Sequence, residues 1–396
     1  MQSILFITTS SLATNPRLVK EFEFLKKKFH CIVFCFEHDD WSKPISKSIM
    51  DRNKQVEFVV INRHQQIIAT LVSKIIHRSA RILNPLFKSS NWICAFASND
   101  KTPQLFFKLF NLPKKQQLGR IVAHNLGSFF PATYLAQQKR QKLQLDIEDF
   151  HPGEALYFNK KQEQQNRLQI MQNSFDSADV ITYASKGIQI ACEKRFLIPK
   201  NTKRGVIINA FESDDFMKPM NSESSIIKCV WFSQNISPQR GLEQVFEASS
   251  KHPNVEFHLI GKSNDTFLNA ITLNDNVKIH PPMTQLLLHQ FLSHMDIGLA
   301  LENKRTDGNR DICLTNKILA YAQAGLYIMA TDTFGQREFL EGLNPIFGEI
   351  LTSSVSEALI DFDKELINDQ NKLKRWEDAR SFSWEKQSEI LMALMK

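Results

Sequence analysis

Short apolar runs alternate along the chain with longer segments whose apolar residues recur at helical spacing. Each run is rich in β-branched or aromatic residues and is bounded by polar ones, which predicts a buried β-strand. The predicted strands are residues 4–8, 31–36, 55–61, 120–124, 143–147, 180–183 and 205–209, and then 227–232, 255–260, 277–280, 297–301 and 327–330. Strands that alternate with helices are typical of a mainly parallel, doubly wound α/β sheet.

A polar stretch in the middle of the chain interrupts this alternation. Residues 213–226 contain mainly Ser, Asp and Met, with one Asn and one Pro, and the alternation restarts after them. We therefore predict two α/β domains, at 1–212 and 227–380, joined by a linker. Residues 381–396 follow as a terminal amphipathic helix. In such sheets ligands bind beyond the carboxyl ends of the strands.

The amino-acid composition and the net charge limit the classes of protein to which this chain can belong. The chain has 396 residues, 42% of them hydrophobic and 23% charged, with only 13 glycines and neither a P-loop nor a G-x-G-x-x-G motif. Six dispersed cysteines without C-x-x-C spacing favour free thiols in a reducing compartment. The start lacks a signal-peptide pattern, and no run reaches about 18 apolar residues, so we expect a cytoplasmic protein. A net charge of +7 indicates an anionic partner, although interspersed acids and the absence of a recognition motif weigh against nucleic acid.

The first loop, TTSSLATNPRLVKE, precedes the first predicted helix. Backbone N–H groups at a helix start can hold an anion or a sugar hydroxyl, and Arg17 can add a positive charge. Alternatively, Asn15 is a helix N-cap followed by Pro16 at the first helical position. Both interpretations can hold together.

Two segments of the second half combine a cation with a helix start. Arg240 follows a strand and a polar loop that contains Gln234 and Asn235, which suits a diphosphate, although a surface arginine fits as well. Lys317 stands with Thr315 and Asn316 at another helix start, where a lysine opposes the helix dipole unless an anion offsets it. Asn316 can bond a hydroxyl or cap the helix.

The stretch LQLDIEDFHPGE, residues 143–154, places acids unusually close together. It contains Asp146, Glu148, Asp149, His151 and Glu154, at the end of a predicted strand whose neighbour ends at His124. Like charges this close repel unless a cation or a polar ligand lies between them. The alternative to a ligand site is a salt-bridged loop.

These motifs together resemble the GT-B glycosyltransferases, specifically the family-4-like, retaining group of bacterial surface-polysaccharide pathways. The resemblance covers almost the whole chain and rests on TNPRLVKE, LDIEDFHPGE, VITYASKGI, VIINAF, WFSQNISPQRGLE, LTNKILAYAQAG and FSWEKQSE, in that order. It implies two facing Rossmann-like domains and a C-terminal helix that crosses back to the N-terminal domain.

The resemblance also implies an activity. The C-terminal domain would bind a nucleotide diphosphate sugar, and the N-terminal domain a glycan or lipid-linked acceptor in surface glycan assembly. Arg240 and Lys317 would neutralise the diphosphate, and no metal or other cofactor is expected. The further residues that it places at the donor are Thr315, Asn316, Gln234 and Asn235; at the acceptor or first loop it places Asn15, Arg17, His124, Asp146 and Glu148.

The acid cluster would then hold the catalytic candidates. His151 can bond a sugar hydroxyl, and Asp149 or Glu154 can orient it or accept a proton from the acceptor. Carboxylates there can also stabilise an oxocarbenium-like transition state.

One position departs from the family pattern. Many family-4-like enzymes carry a Glu three residues after the Lys, where this chain has Ala320. Glu302 or Asp311 is then expected to contact the donor sugar. Two alternatives stay open: an inverting GT-B enzyme with another activated sugar, and a degenerate paralogue that binds a nucleotide sugar without transferring it.

Residues 63–88 form a basic amphipathic segment. Apolar residues recur there at helical spacing, with Lys74, Arg78 and Arg81 between them. Such a helix can rest on an anionic membrane surface, which would make the protein peripheral on the inner face of the membrane. The alternative is a core helix with a solvated basic face.

Overall fold

The computed structural model describes residues 2–112, 118–156, 159–219, 226–271, 273–303 and 308–396. Within them the chain divides into two compact units. The first comprises Met1–Ala184, Ile188–Ile207 and Leu391–Lys396, and the second comprises Ser185–Gly187 and Ile208–Ile390.

The first unit contains a seven-stranded parallel sheet in the order β3-β2-β1-β4-β5-β6-β7. Its strands are β1 Ser3–Thr8, β2 His30–Glu37, β3 Glu57–Asn62, β4 Leu118–His124, β5 Lys142–Ile147, β6 Val180–Tyr183 and β7 Lys203–Val206. Its helices are α1 Pro16–Leu25, α2 Ser42–Arg52, α3 Ile67–Leu83, α4 Asn91–Ser98, α5 Thr102–Phe110, α6 Leu126–Lys139, α7 Lys160–Phe175 and most of α8 Lys186–Arg195. The central strands are almost wholly buried, as is typical of parallel sheets covered on both faces.

The second unit contains a six-stranded parallel sheet in the order β10-β9-β8-β11-β12-β13. Its strands are β8 Ile227–Ile236, β9 Val255–Ser263, β10 Val277–His280, β11 Ile297–Ala300, β12 Tyr327–Ala330 and β13 Gly348–Ile350. Its helices are α9 Leu242–Lys251, α10 Asp265–Asn269, α11 Gln285–Leu292, α12 Gly308–Ile312, α13 Asn316–Gln323, α14 Phe334–Glu341, α15 Val355–Ala358, α16 Asp369–Asp378 and most of α17 Trp384–Met395.

The predicted α/β class and parallel pairing are therefore confirmed, and each predicted strand overlaps a strand of the structure. Two details differ. The strand predicted at 205–209 is Lys203–Val206, because the chain leaves the sheet at Ile207, whose carbonyl oxygen accepts a hydrogen bond from Arg17. The short edge strand β13 was not predicted, because three residues beginning with Gly give no apolar run.

The segment predicted as a linker begins within the second unit. Phe216 is buried in the core of that unit beside Phe211, and residues 220–225 lie outside the described part of the chain. Helix α17 spans 384–395. Trp384 N donates to Phe211 O in the second unit, whereas at the other end Arg120 Nη2 donates to Met395 O in the first unit.

Candidate functional site

Each sheet has one point at which the strand order reverses direction. In the first unit this point lies between β1 and β4, and in the second unit between β8 and β11. Connections on the two sides of such a point leave the sheet toward opposite faces, which opens a crevice at the carboxyl ends of the strands. Both groups of predicted site residues lie at these strand ends or in the helices that follow them.

In the first unit, Arg17 and Asp146 form a buried ion pair. Arg17 Nε donates to Asp146 Oδ2 at 2.7 Å and Nη2 donates to Oδ1 at 2.6 Å, while Nη1 donates to Ile207 O at 2.6 Å. Burial alone would raise the pKa of the Asp146 carboxyl, but the charges of Arg17 and His124 and their hydrogen bonds together outweigh burial and hold that pKa well below its usual range. Arg17 is thus committed to the protein interior and not to an anion in the first loop.

The alternative predicted for the first loop is confirmed. Asn15 is the N-cap of α1, where its side chain accepts a hydrogen bond from Leu18 N at 3.1 Å, and Pro16 is the first helical residue. The Asn15 side chain also donates to Thr8 Oγ1 at 3.3 Å, which ties the helix start to the end of β1.

His124, at the end of β4, completes this network. Its Nδ1 lies 3.1 Å from Glu148 Oε1 and 3.2 Å from Asp146 Oδ2, and its Nε2 lies 3.4 Å from Glu21 Oε2. Burial alone would lower the pKa of His124, but the carboxylates of Glu21, Asp146 and Glu148 raise it well above its ordinary value. The close acids of this strand end are therefore held together by two cations, the Arg17 guanidinium and the His124 imidazolium.

Glu21 was not among the predicted site residues. Its signal in the sequence is an acid between Leu18 and Leu25 on the apolar face of α1, where a charged residue is out of place. Glu21, His124 and Asp146 have the residue types and spacing of a metal site. Arg17, however, already hydrogen-bonds both Asp146 oxygens, and its charge would repel a metal cation. We therefore interpret the group as an ion network.

His151 lies apart from that network, in a turn after β5. Its Nδ1 lies 3.1 Å from Glu154 Oε1, and Arg167 Nη1 donates both to His151 O and to Glu154. Burial lowers the pKa of His151, but the hydrogen bond with Glu154 and the charges of Glu154 and Asp149 together outweigh burial, so that the pKa is raised. Among the described residues, the buried His151 Nε2 has no hydrogen-bond partner. Asp149 is close enough to raise the same pKa through its charge.

In the second unit, Gly241 fixes the loop that carries Arg240. Gly241 has φ +78° and is the N-cap of α9, and a Cβ there would lie 2.7 Å from Leu301 Cβ. The close approach holds the Arg240 loop against the end of β11. Gln234 and Asn235, predicted in this loop, instead lie on β8, which runs on to Ile236 with a register shift before Asn235.

Lys317 is the buried cation of this site. It lies in the first turn of α13, only 7% exposed, with its Nζ 2.8 Å from Glu302 Oε1 and 5.1 Å from the centre of the Trp231 ring. Burial lowers the pKa of Lys317, partly opposed by Glu302, and the positive charges of Arg240 and Arg310 lower it further. Lys317 thus has an internal counter-ion in Glu302.

Arg310 is a second residue that the sequence analysis missed. It lies on α12, seven residues before Lys317 in the sequence, and its positive charge lowers the pKa of that lysine. The sequence feature that could have identified it is its place among the basic residues just before the LTNK motif, residues 314–317. Arg240 and Arg310 thus both act electrostatically on Lys317, whose contacting carboxylate is that of Glu302.

Three other predicted donor residues, Thr315, Asn316 and Asp311, lie near Arg310 and Lys317 in the sequence. Thr315, not Asn316, takes the N-cap position of α13, and Thr315 Oγ1 has no hydrogen-bond partner among the described residues. Asn316 Oδ1 accepts from Asn209 Nδ2 at 2.9 Å. Asp311 Oδ1 accepts from Phe334 N at 3.2 Å. Ala320, the departure from the family pattern, is fully buried in the apolar core.

Comparison with solved structures identifies the fold. No protein-family model and no curated protein matches this sequence. Anabaena HepE in complex with UDP is 12% identical with a TM-score of 0.65, covering 100% of this chain and 99% of its own. Sucrose-phosphate synthase from Thermosynechococcus elongatus is 12% identical, with a TM-score of 0.65 and 100% and 98% coverage. A glycosyltransferase from Rickettsia africae is 13% identical, with a TM-score of 0.62 and 100% and 99% coverage. The chain therefore has the GT-B fold, with a parallel α/β sheet in each of two units.

Proposed function

We propose that this protein is a glycosyltransferase that uses a nucleotide diphosphate sugar. The observation that carries the proposal is the buried Lys317, in α13 after β11, with Arg240 in the loop after β8, the two strands that flank the switch point of the second sheet. A diphosphate carries the complementary charge, and negative charge increases on it as the glycosidic bond breaks. Cations positioned in a partly buried site stabilise that developing charge.

Glu302 would change its hydrogen-bond partner when the donor binds. In the structure its carboxylate balances Lys317 at 2.8 Å, which offsets part of the cost of burying the lysine. On donor binding, the diphosphate would take over part of this role. Glu302 would then be free to accept a hydrogen bond from a sugar hydroxyl, in place of the Glu that the family pattern has at Ala320.

We propose that the acceptor binds to the first unit. We propose that the turn that carries His151 opens when the acceptor binds, so that the buried Nε2 donates to a sugar hydroxyl while Glu154 fixes the ring through Nδ1. Arg17, Asp146 and His124 would hold the first loop and the ends of β4 and β5 in place without touching substrate, because their polar atoms already pair with one another and with Ile207 O. They are positioning residues in this proposal.

The stereochemistry, the acceptor and the metal requirement are proposed from the resemblance of the sequence motifs. We propose retention of anomeric configuration, a glycan or lipid-linked acceptor of bacterial surface glycan assembly, and no requirement for metal. The six free cysteines fit a reducing compartment such as the cytoplasm. Because the structural relatives include a UDP complex, UDP is the first donor fragment to test.

The test is calorimetric titration with UDP, followed by a screen of UDP-sugars for release of UDP. Arg240→Ala should weaken UDP binding roughly 10- to 150-fold, the loss expected for one charge-assisted contact. Lys251→Ala is the matched control, because Lys251 is an exposed lysine of the same unit whose Nζ pairs with Glu247 Oε1 at 2.7 Å. Unchanged UDP affinity in Arg240→Ala would refute the donor site.

Lys317 needs a paired design, because its removal leaves Glu302 buried without its cation. The double variant Lys317→Met with Glu302→Gln removes both charges at nearly constant volume. Its melting temperature should stay close to that of the wild type while UDP affinity falls.

The alternative of a binding protein without transfer activity is favoured by one observation, the burial of Ala320 where the pattern has an acid. UDP binding without release of UDP from any donor sugar would support that alternative.

A further inference from the structure

Helix α3 packs on the first unit through its polar residues. The side chains that face inward are small or hydrogen-bonded: Thr70 Oγ1 donates to Arg63 O at 2.9 Å, and Ser73 Oγ donates to Asp100 O at 2.7 Å. One turn further on, His77 Nδ1 lies 2.7 Å from Phe96 O. Thr70, Ser73 and Ala80 are the buried residues of this helix, and none is a large apolar side chain.

The large apolar residues of α3 point to solvent instead. Ile68 is 81% exposed, Ile75 55% and Ile82 76%. We call the exposed apolar residues of the helix its outer face: Ile67, Ile68, Leu71, Val72, Ile75, Ile82 and Leu83. At 3.6 residues per turn they cover an arc of about 160°. An apolar patch of this kind on a folded protein marks an interaction site.

Cations line one edge of the outer face. Lys74, Arg78 and Arg81 are exposed and fall beside Ile67 and Leu71 on the helical projection. No Asp or Glu occurs anywhere between residues 63 and 88. The partner of this face must therefore be apolar and anionic together.

We propose that the outer face of α3 binds the surface of an anionic lipid bilayer, with the helix lying in the plane of the interface. Apolar side chains would enter the acyl boundary, and Lys74, Arg78 and Arg81 would contact lipid phosphates. No helix in the described part of the chain is long and apolar enough to cross a membrane. A second copy of the chain is a poor partner, because it would place an identical set of cations against this one. The alternative of a core helix, left open by the sequence, is excluded for α3 by the exposure of its apolar side.

Co-sedimentation of the full chain with vesicles tests the proposal. Phosphatidylcholine vesicles that contain phosphatidylglycerol should bind the protein, pure phosphatidylcholine vesicles should not, and binding should weaken as salt rises. The variant Lys74→Gln, Arg78→Gln, Arg81→Gln should bind on the order of a hundredfold more weakly, at about fivefold for each cation. A second variant, Ile68→Ser, Ile75→Ser, Ile82→Ser, should lose more than about tenfold.

Matched controls alter exposed residues away from α3. Ile190→Ser, Leu197→Ser, Ile360→Ser removes apolar side chains that are 44–83% exposed, and Lys54→Gln, Lys194→Gln, Lys200→Gln removes three exposed lysines. Both should bind vesicles as the wild type does. Absent binding to anionic vesicles, equal binding to neutral ones, or equal losses in the controls would overturn the proposal.

Two further measurements distinguish membrane binding from self-association and from an effect on the donor site. A wild-type dimer in light scattering that the Ile68, Ile75, Ile82 variant converts to a monomer, together with absent vesicle binding, would assign the face to self-association and overturn the proposal. UDP titration of the same variants should give wild-type affinity, because α3 belongs to the first unit and the donor site to the second. The vesicle-binding experiment therefore tests the membrane proposal separately from the proposal of sugar transfer.

Discussion

Arg17 and Asp146, separated by 129 residues in sequence, form a bidentate ion pair with 2.6 and 2.7 Å contacts in the interior of the first unit. The pair joins the first turn of α1 to the end of β5. It also answers the question that the acidic stretch 143–154 raises. Cationic side chains of the protein, not a ligand, lie between its first acids.

Breaking this pair should destabilise the protein strongly. Arg17→Met leaves Asp146 buried without its cation, which costs about 3–5 kcal/mol of unfolding free energy. The double variant Arg17→Met with Asp146→Leu removes both charges and should recover much of the loss. Chemical denaturation of the three proteins measures both effects, and equal losses in the single and double variants would exclude charge imbalance as the cause. Because the folded-state pKa of Asp146 is lowered, the contribution of the pair is fully present above the ordinary carboxyl pKa of about 4 and declines at lower pH.

Nucleotide binding should depend on pH through Lys317. Burial lowers the pKa of this lysine, so its charge, and with it UDP affinity, should begin to fall at a pH below the ordinary lysine pKa of about 10.4. Lys317→Arg keeps the charge throughout the accessible range and should remove this fall. Calorimetric titrations of both proteins between neutral pH and pH 10 compare the two curves. A decline that both share belongs to the nucleotide or to another group, and two identical curves would contradict a contact between Lys317 and the nucleotide.

Gly241→Ala should weaken both stability and UDP binding. The alanine is strained at φ +78°, and its Cβ would meet Leu301 at 2.7 Å, so we expect a loss of about 1–3 kcal/mol and displacement of the Arg240 loop. Gly342→Ala is the matched control in the same unit, because Gly342 has φ −76° and its nearest contacts would be ordinary at 3.4 Å. Melting temperatures and UDP titrations of both variants provide the measurement. Equal behaviour of the two would show that the loop tolerates a side chain.

His151→Gln should separate transfer from donor binding. The glutamine keeps much of the side-chain volume and a polar group near Glu154, whereas alanine would leave a cavity, because His151 is only 6% exposed. With a donor and acceptor pair from the UDP-sugar screen, transfer should fall at least tenfold while UDP affinity and melting temperature stay near wild type. Glu154→Gln should show a smaller loss of transfer if its role is to orient the ring. A fully active His151→Gln enzyme would end the proposal for this residue.

The sequence alone predicted the α/β class, the parallel pairing and nearly all of the strands. These follow from local patterns: apolar runs with β-branched residues, polar boundaries, and the Asn15-Pro16 helix start, each of which acts within a few neighbouring residues. The edge strand Gly348–Ile350 escaped because it has no such pattern. The prediction that Lys317 and Arg240 bind the donor was also drawn from a local pattern, a cation at a helix start.

Tertiary structure alone decided which charges pair and which faces are buried. The sequence left Arg17 open to an anion, whereas the fold pairs it with Asp146 and Ile207 O. Glu21 and Arg310 likewise act on residues that are distant from them in the sequence or lie on another element. For residues 63–88 the periodicity predicted an amphipathic helix but not which side faces inward. That side was fixed by hydrogen-bond partners on other elements, such as Asp100 O for Ser73 and Phe96 O for His77. Periodicity is a property of one segment, whereas burial and ion pairing depend on atoms that the fold supplies from elsewhere in the chain.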